Sequence, residues 1–81
     1  MEVTIRFYSY FKDLTGYCEL RVTAREDQTL GELLDDLGLQ FPKLAAMRKS
    51  MLTAVGVDYQ KRDYRLKEGD EVSLFPPVQG G

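Results

Sequence analysis

The feature that most constrains the fold is one strongly amphipathic helical segment, residues 29–38, with the sequence TLGELLDDLG. Its first residue, Thr29, is followed three positions later by Glu32, which is the spacing of a capping box at a helix N-terminus. Leucines recur at the i, i+3, i+4 and i+7 positions of one helical face, namely Leu30, Leu33, Leu34 and Leu37. Gly38 suits the left-handed position that ends a helix, and Pro42 discourages continuation.

Strand-like segments flank this helix on both sides. Apolar and polar residues alternate in residues 2–8, 17–23 and 71–75, and residues 51–55 form a further strand candidate with a hairpin partner in residues 57–61. The apolar phase places these side chains on the inner face: Val3, Ile5, Phe7, Cys18, Leu20, Val22, Val72 and Leu74. The connection between the first two segments is short, so we expect them to pair antiparallel.

The order of these segments indicates an α+β protein. Two N-terminal strands, one main helix across the sheet and a final strand suggest a β-grasp, or ubiquitin-like, roll with a mixed sheet. The length of 81 residues is enough for one small domain. We expect that domain over residues 1–75 and an extended, flexible tail over residues 76–81.

Composition argues against several classes of function. The net charge is −2, and the 11 basic residues are scattered among 13 acidic ones, so we expect neither nucleic acid nor a membrane as a partner. No apolar run approaches the ~20 residues that span a bilayer, and the N-terminus lacks the features of a signal peptide. We therefore expect a cytoplasmic protein. The chain has no histidine and one cysteine, which leaves few metal ligands, and we expect no metal site.

The remaining reactive side chains favour structural roles. Cys18 could act as a nucleophile, but its inward phase in a strand is typical of a small core residue. Asp35 and Asp36 could form an acid–base pair, but adjacent helical residues point roughly 100° apart. That geometry favours a solvated helix face. We therefore expect no self-contained active site.

The closing sequence, LFPPVQGG, has a chemistry of its own. Pro76 and Pro77 lack amide donors and hold an extended backbone, so strand pairing should stop before them. Six extended residues reach about 20 Å, and Gly80 and Gly81 can enter a channel too narrow for any side chain. A carboxylate at the tip, once activated by adenylation in a partner enzyme, could accept either sulfur or an amine.

These closing residues resemble those of a known family, the small subunits of molybdopterin synthase, which are ubiquitin-like sulfur carriers of the MoaD/ThiS type. The resemblance covers the whole chain and is most specific over residues 66–81, LKEGDEVSLFPPVQGG. The opening VTIRFYSYFKDLTG and the helical TLGELLDDL also fit. Gly56 departs from the family pattern, which often has Asn in this short hairpin.

The resemblance implies a function for the end of the chain. Gly81, preceded by Gly80, would be adenylated by an E1-like adenylyltransferase (MoeB-type) that uses ATP and magnesium, and then converted to a thiocarboxylate. The tail would insert into the large synthase subunit (MoaE-type) and donate sulfur to cyclic pyranopterin monophosphate. The assembly would contain two small and two large subunits. The chain itself would bind no cofactor and would not be catalytic alone.

Two aromatic residues predict a docking surface near this tail. Tyr8 and Phe75 are out of phase with the inward residues of the first and last strands. If those strands are neighbours, both rings share the outer face, which is typical of a docking patch, although scattered surface aromatics are also common. The resemblance adds further partner-binding residues, namely Tyr59, Pro76, Pro77 and Val78.

Three alternatives stay open. The chain could carry sulfur for thiazole or cysteine synthesis, although the double proline favours the molybdopterin pathway. It could be a ubiquitin-like protein modifier that is conjugated to lysines through Gly81. It could also be a passive interaction domain with an idle tail.

Overall fold

The structure, a computed structural model, describes residues 1–77 of the chain. Its elements are β1 (Glu2–Phe7), α1 (Phe11–Thr15), β2 (Glu19–Thr23), α2 (Leu30–Gln40), α3 (Pro42–Ala45), β3 (Leu52–Val55), β4 (Asp58–Tyr59) and β5 (Glu71–Phe75). The predicted elements are therefore present in the predicted order. Residues 78–81, which carry part of the predicted tail, lie outside the described range.

The five strands form one mixed sheet in the order β2–β1–β5–β3–β4. The first and last strands, β1 and β5, are central neighbours and run parallel, while the other pairs are antiparallel. One face of this sheet and the leucines of α2 share a single hydrophobic core. This topology confirms the α+β prediction and is that of a β-grasp roll.

The main helix begins as its sequence predicts. The Thr29 side chain accepts a hydrogen bond from the Glu32 backbone N–H at 3.2 Å, and a Glu32 carboxylate oxygen accepts one from the Thr29 N–H at 2.9 Å. These two bonds complete the capping box, which satisfies two amides that a helix terminus otherwise leaves unpaired. All four leucines of the stripe are buried.

The predicted end of this helix is wrong. Gly38 lies within α2, which continues to Gln40 and is capped by Phe41. A Cβ atom on Gly38 would stand 3.1 Å from the Cβ of Ala45 in α3. The glycine therefore allows α2 and α3 to pack closely, and it does not end the helix. Pro42 begins α3 at a position that needs no amide donor.

The prediction for Cys18 is also wrong. Cys18 is exposed and precedes β2, which begins at Glu19. Its carbonyl oxygen still accepts a hydrogen bond from the Phe7 N–H at 2.9 Å, so the backbone pairing extends past the strand while the side chain stays outside the core. Because β2 is an edge strand, Leu20 and Val22 are only partly buried.

The two adjacent aspartates of α2 do not form an acid–base pair. Asp36 accepts a hydrogen bond from the Gln28 side chain at 3.2 Å. The Asp35 carboxylate bridges Arg48 and Arg62, each at 3.0 Å. The predicted solvated position is confirmed for Asp36, which is exposed. Asp35 is partly buried, with its Oδ1 atom enclosed, and it links α2 to the segments that contain Arg48 and Arg62.

Candidate functional site

The carboxyl ends of the central strands β1 and β5 lie side by side at one end of the sheet. Their parallel register pairs Phe7 with Leu74, and the Tyr8 N–H donates to the Leu74 carbonyl at 3.1 Å. The next residue on β5 is Phe75. This pairing brings the ends of the first and last strands together, although 67 positions separate Tyr8 from Phe75 in the sequence.

At this end of the sheet, the rings of Tyr8 and Phe75 stack on its outer face. Their centroids are 4.6 Å apart and the ring planes differ by 15°. Tyr8 remains 38% exposed, and Phe75 is partly buried. The predicted sharing of one face is confirmed, and we call Tyr8 and Phe75 the aromatic patch. Its role in docking stays a prediction.

A strained turn fixes the end of β1 next to this patch. Ser9 has a φ of 56°, a left-handed conformation that is uncommon for residues other than glycine. It turns the chain into α1, where the Phe11 N–H donates to the Tyr8 carbonyl at 3.2 Å and the Lys12 N–H donates to the Ser9 carbonyl at 3.2 Å. Sequence reasoning missed this left-handed residue, since serine does not mark positive φ.

Charged side chains continue the outer face away from the aromatic patch. Arg6 lies two residues before Tyr8 and so on the same side of β1. Its guanidinium lies 2.8 Å from Glu71 of β5 and 4.0 Å from Glu19 beside it on β2. All three side chains are about half exposed, so these ion pairs add little stability. They do order a polar surface across three strands.

Tyr59 lies on the same face of the sheet but farther from the tail. The register pairs it with Ala54, which in turn pairs with Ser73 of β5. Its side chain is 71% exposed. The strand register also pairs Leu52 with Phe75, so Leu52 is the apolar residue that adjoins the aromatic patch. Sequence reasoning missed Leu52, because only the order of the strands reveals this neighbour.

Pro76 and Pro77 follow β5 directly and belong to no strand. This position confirms that strand pairing ends at Phe75, as the missing amide donors require. Both prolines are partly buried. The other predicted tail residues, Val78, Gly80 and Gly81, lie outside the described residues.

The pKa shifts that the structure explains belong to contacts that hold the fold. The pKa of Glu32 is lowered because the Thr29 backbone and side chain donate hydrogen bonds to its carboxylate. The pKa of Tyr64 is raised by partial burial and by its hydrogen bond to Asp70 at 2.9 Å. Neither group lies in the aromatic patch.

Two kinds of feature are absent from residues 1–77. That part of the chain has no cluster of three or more histidine, cysteine, aspartate or glutamate side chains able to hold a metal ion. It also has no helix that is long and apolar enough to cross a membrane.

The sequence and the fold match a known family. The chain belongs to the ThiS family, whose model matches residues 5–81. It is thus a ubiquitin-like protein of the ThiS/MoaD sulfur-carrier type. The molybdopterin synthase sulfur carrier subunit of Escherichia coli (strain K12) is 31% identical over 81 residues, which are 98% of this chain and 99% of that protein. The small archaeal modifier protein 3 of Haloferax volcanii is 29% identical over 94 residues and 100% of both chains.

Solved structures agree with this assignment. A putative molybdopterin converting factor subunit 1 from Pyrococcus furiosus superposes with a TM-score of 0.87 at 25% identity, over 95% of this chain and 98% of that chain. A protein–protein complex of subunits 1 and 2 of molybdopterin-converting factor from Helicobacter pylori contains a chain with a TM-score of 0.71 at 26% identity, over 100% of both chains.

Proposed function

We propose that this chain is the sulfur carrier subunit of a molybdopterin synthase, and that the Gly81 carboxylate is the group that carries the sulfur. The observation that supports this most is the aromatic patch. Tyr8 and Phe75 stack on the surface at the point where β5 ends and Pro76-Pro77 begins. A partner that binds the patch would hold the body beside the origin of the tail.

The proposed chemistry uses the carboxylate first as a nucleophile and then as an activated acyl group. In the adenylyltransferase, a Gly81 carboxylate oxygen attacks the α-phosphorus of magnesium-bound ATP, and pyrophosphate leaves. A sulfide-level nucleophile then attacks the acyl carbon of the adenylate and AMP leaves, which produces the thiocarboxylate. In the large synthase subunit, the thiocarboxylate sulfur would bond to a carbon of cyclic pyranopterin monophosphate in place of an oxygen substituent, and water would then hydrolyse the resulting thioester, which leaves the thiol on the pterin and regenerates the carboxylate.

The body of the chain contributes binding and orientation in this proposal. Gly80 and Gly81 have no side chains, so a narrow catalytic channel of the partner can admit them. Pro76 and Pro77 limit the conformations of the connection, and with Tyr59 and Val78 they would extend the contact with the partner. The proposed assembly is a heterotetramer of two small and two large subunits, and the similarity to a chain solved in a two-subunit complex supports such a partner.

Reconstitution tests the proposal. The purified chain is incubated with its adenylyltransferase, ATP, magnesium and a sulfide source, then mixed with the large subunit and cyclic pyranopterin monophosphate. We expect molybdopterin to form in proportion to the loaded carrier, and not when ATP is omitted. Loading without molybdopterin formation would assign the carrier to another sulfur pathway, such as thiazole or cysteine synthesis.

A second candidate is protein modification, because the small archaeal modifier protein 3 of Haloferax volcanii matches over 100% of both chains. In that case the activated Gly81 would form isopeptide bonds with lysines. An affinity-tagged chain expressed in its host separates the candidates, since a modifier yields covalent conjugates under denaturing conditions and a dedicated carrier does not.

A further inference from the structure

A groove of about 390 Å³ lies between α2 and the edge of the sheet formed by β3 and β4. Its lining consists of Leu30, Leu34, Arg48, Met51, Leu52, Thr53, Tyr59, Gln60, Lys61 and Arg62. We call it the basic groove. It is distinct from the aromatic patch, and Tyr59 is its one lining residue with a proposed role in partner contact.

The floor of the basic groove is apolar. Leu30 and Leu34 belong to the core, at 1% and 8% exposure, and Met51 is partly buried against that core. The groove therefore reaches the hydrophobic interior from outside. Leu30 and Leu34 have little surface left to cover, so an apolar side chain in the groove would mainly remove from water the partly buried Met51 and Leu52, which favours association.

The rim of the basic groove is positively charged. Arg48, Lys61 and Arg62 line it, and no carboxylate is among the lining residues, although the whole chain has a net charge of −2. Asp35 holds both arginines from the helix side at 3.0 Å and so neutralises part of their charge. Lys61 has no ion-pair partner within residues 1–77. The local charge therefore suits an acidic ligand.

The basic groove adjoins the aromatic patch at Leu52. Leu52 lines the groove and pairs directly with Phe75 in the sheet. Because β3 and β5 are antiparallel, the start of β3 and the end of β5 lie at the same end of the sheet. Pro76 follows β5 at this end. The groove floor lies on the helix-covered face of the sheet, so a protein on the patch would reach it by a segment that extends past Leu52 and around the β3–β4 edge.

We propose that the basic groove binds an acidic segment of the large synthase subunit, with one apolar side chain over the leucine floor and carboxylates against Lys61 and its neighbouring arginines. This inference rests on the proposed function, and it adds a charge-selective contact to the aromatic one. The large subunit is chosen over the adenylyltransferase because a chain of similar fold is found in a two-subunit complex.

The test is the dissociation constant of the purified large subunit with the full-length chain and two charge-reversal variants. Lys61→Glu places a carboxylate on the rim of the groove. Lys67→Glu makes the same change in charge before β5, at the opposite end of that strand from the tail. We expect Lys61→Glu to weaken binding about 10-fold at low salt, with the difference shrinking as salt rises. Lys67→Glu should stay within about twofold of wild type.

The other outcomes are separable. Equal weakening of binding by both variants would attribute the effect to net charge and would overturn the inference. An unchanged dissociation constant for Lys61→Glu would also overturn it. If Lys61→Glu weakens binding of the adenylyltransferase but not of the large subunit, the groove belongs to the adenylyltransferase contact and the inference is overturned. Failure of the wild-type chain to bind the large subunit at all would overturn the proposed function, and this inference with it. If Lys61→Glu does not fold, Lys61→Gln makes the same test with a smaller expected effect.

Discussion

The two faces of the paired strands β1 and β5 differ sharply although they share one backbone. On the inner face, Ile5, Val72 and Leu74 are 0% exposed and form the centre of the core. On the outer face, Arg6 is ion-paired and Tyr8 stacks on Phe75 in contact with solvent. The inner face explains why the chain folds, and the outer face carries the features by which a partner could distinguish this chain from other β-grasp proteins.

This difference implies that stability and function can be damaged independently. Substitutions on the inner face should lower the free energy of unfolding, and folded molecules of such variants should still bind their partners. Substitutions on the outer face or in the tail should leave unfolding nearly unchanged and weaken binding or transfer. The following variants test that separation.

Deletion of Gly81 should have the largest functional effect. We expect sulfur transfer to be lost, because the shortened chain presents a different carboxylate with a bulkier neighbour, Gln79, one position closer to the reactive group. The melting temperature should change by no more than about 1 °C, since a terminal glycine has no side chain to pack. Transfer is measured in the reconstituted synthase and unfolding by circular dichroism. A large drop in melting temperature would show that the tail also stabilises the fold.

Leu74→Ala should have the largest effect on stability. The side chain is 0% exposed, and truncation of a buried leucine costs about 3 kcal/mol out of a total of roughly 5–15 kcal/mol. The neighbouring Ser73→Ala, on the outer face of the same strand, is the matched control and should change stability by less than about 0.5 kcal/mol. Urea denaturation measures both. Similar losses for the two variants would contradict the division between the faces.

Phe75→Ala should weaken binding of the large subunit by about 2 kcal/mol, or roughly 30-fold in the dissociation constant. Leu39→Ala removes another exposed apolar side chain, 84% exposed on α2, and should leave binding unchanged. Calorimetric titration gives the constants. A double-mutant cycle with Tyr8→Ala measures the coupling of the stacked rings, and an unchanged constant for Phe75→Ala would remove the aromatic patch from the interface.

Thr29→Ala should have a smaller effect, confined to stability. Loss of the capping side chain should cost about 1 kcal/mol, whereas Thr29→Ser should retain most of the cap. Neither variant should alter partner binding, because the Thr29 side chain bonds to Glu32 and lines neither the aromatic patch nor the basic groove. A thermal unfolding series measures the difference, and equal losses for the alanine and serine variants would argue against the hydrogen bond as the cause.

The same capping box predicts a modest dependence of stability on pH. The folded pKa of Glu32 is lowered from its ordinary value of 4.5, so the contribution is present above that value. It is lost as the pH falls through the lower folded pKa. Glu32→Gln should flatten this acid limb of the stability profile. An unchanged acid limb in the variant would attribute the loss to other carboxylates.

Local pattern predicted the elements of this fold because its rules act over a few residues. The capping box at Thr29 and the alternation in β1 and β5 are such rules, and out-of-phase aromatics sufficed to predict the aromatic patch. Gly38 was misread because its role depends on Ala45 in another helix. Cys18 was misread because its position relative to the core depends on where an edge strand begins. The Arg6–Glu71 pair and the basic groove depend on strand order, which no short segment specifies.

The central claim is that the Gly81 carboxylate is the reactive group and that the body presents it to other proteins. Intact-mass spectrometry of the chain after incubation with ATP, magnesium, its adenylyltransferase and a sulfide source tests this most directly. The claim predicts a mass gain that corresponds to the exchange of one oxygen for sulfur, localised by fragmentation to Gly81 and absent without ATP. An unmodified terminus under conditions in which the adenylyltransferase is demonstrably active, or sulfur located on Cys18 instead, would contradict it.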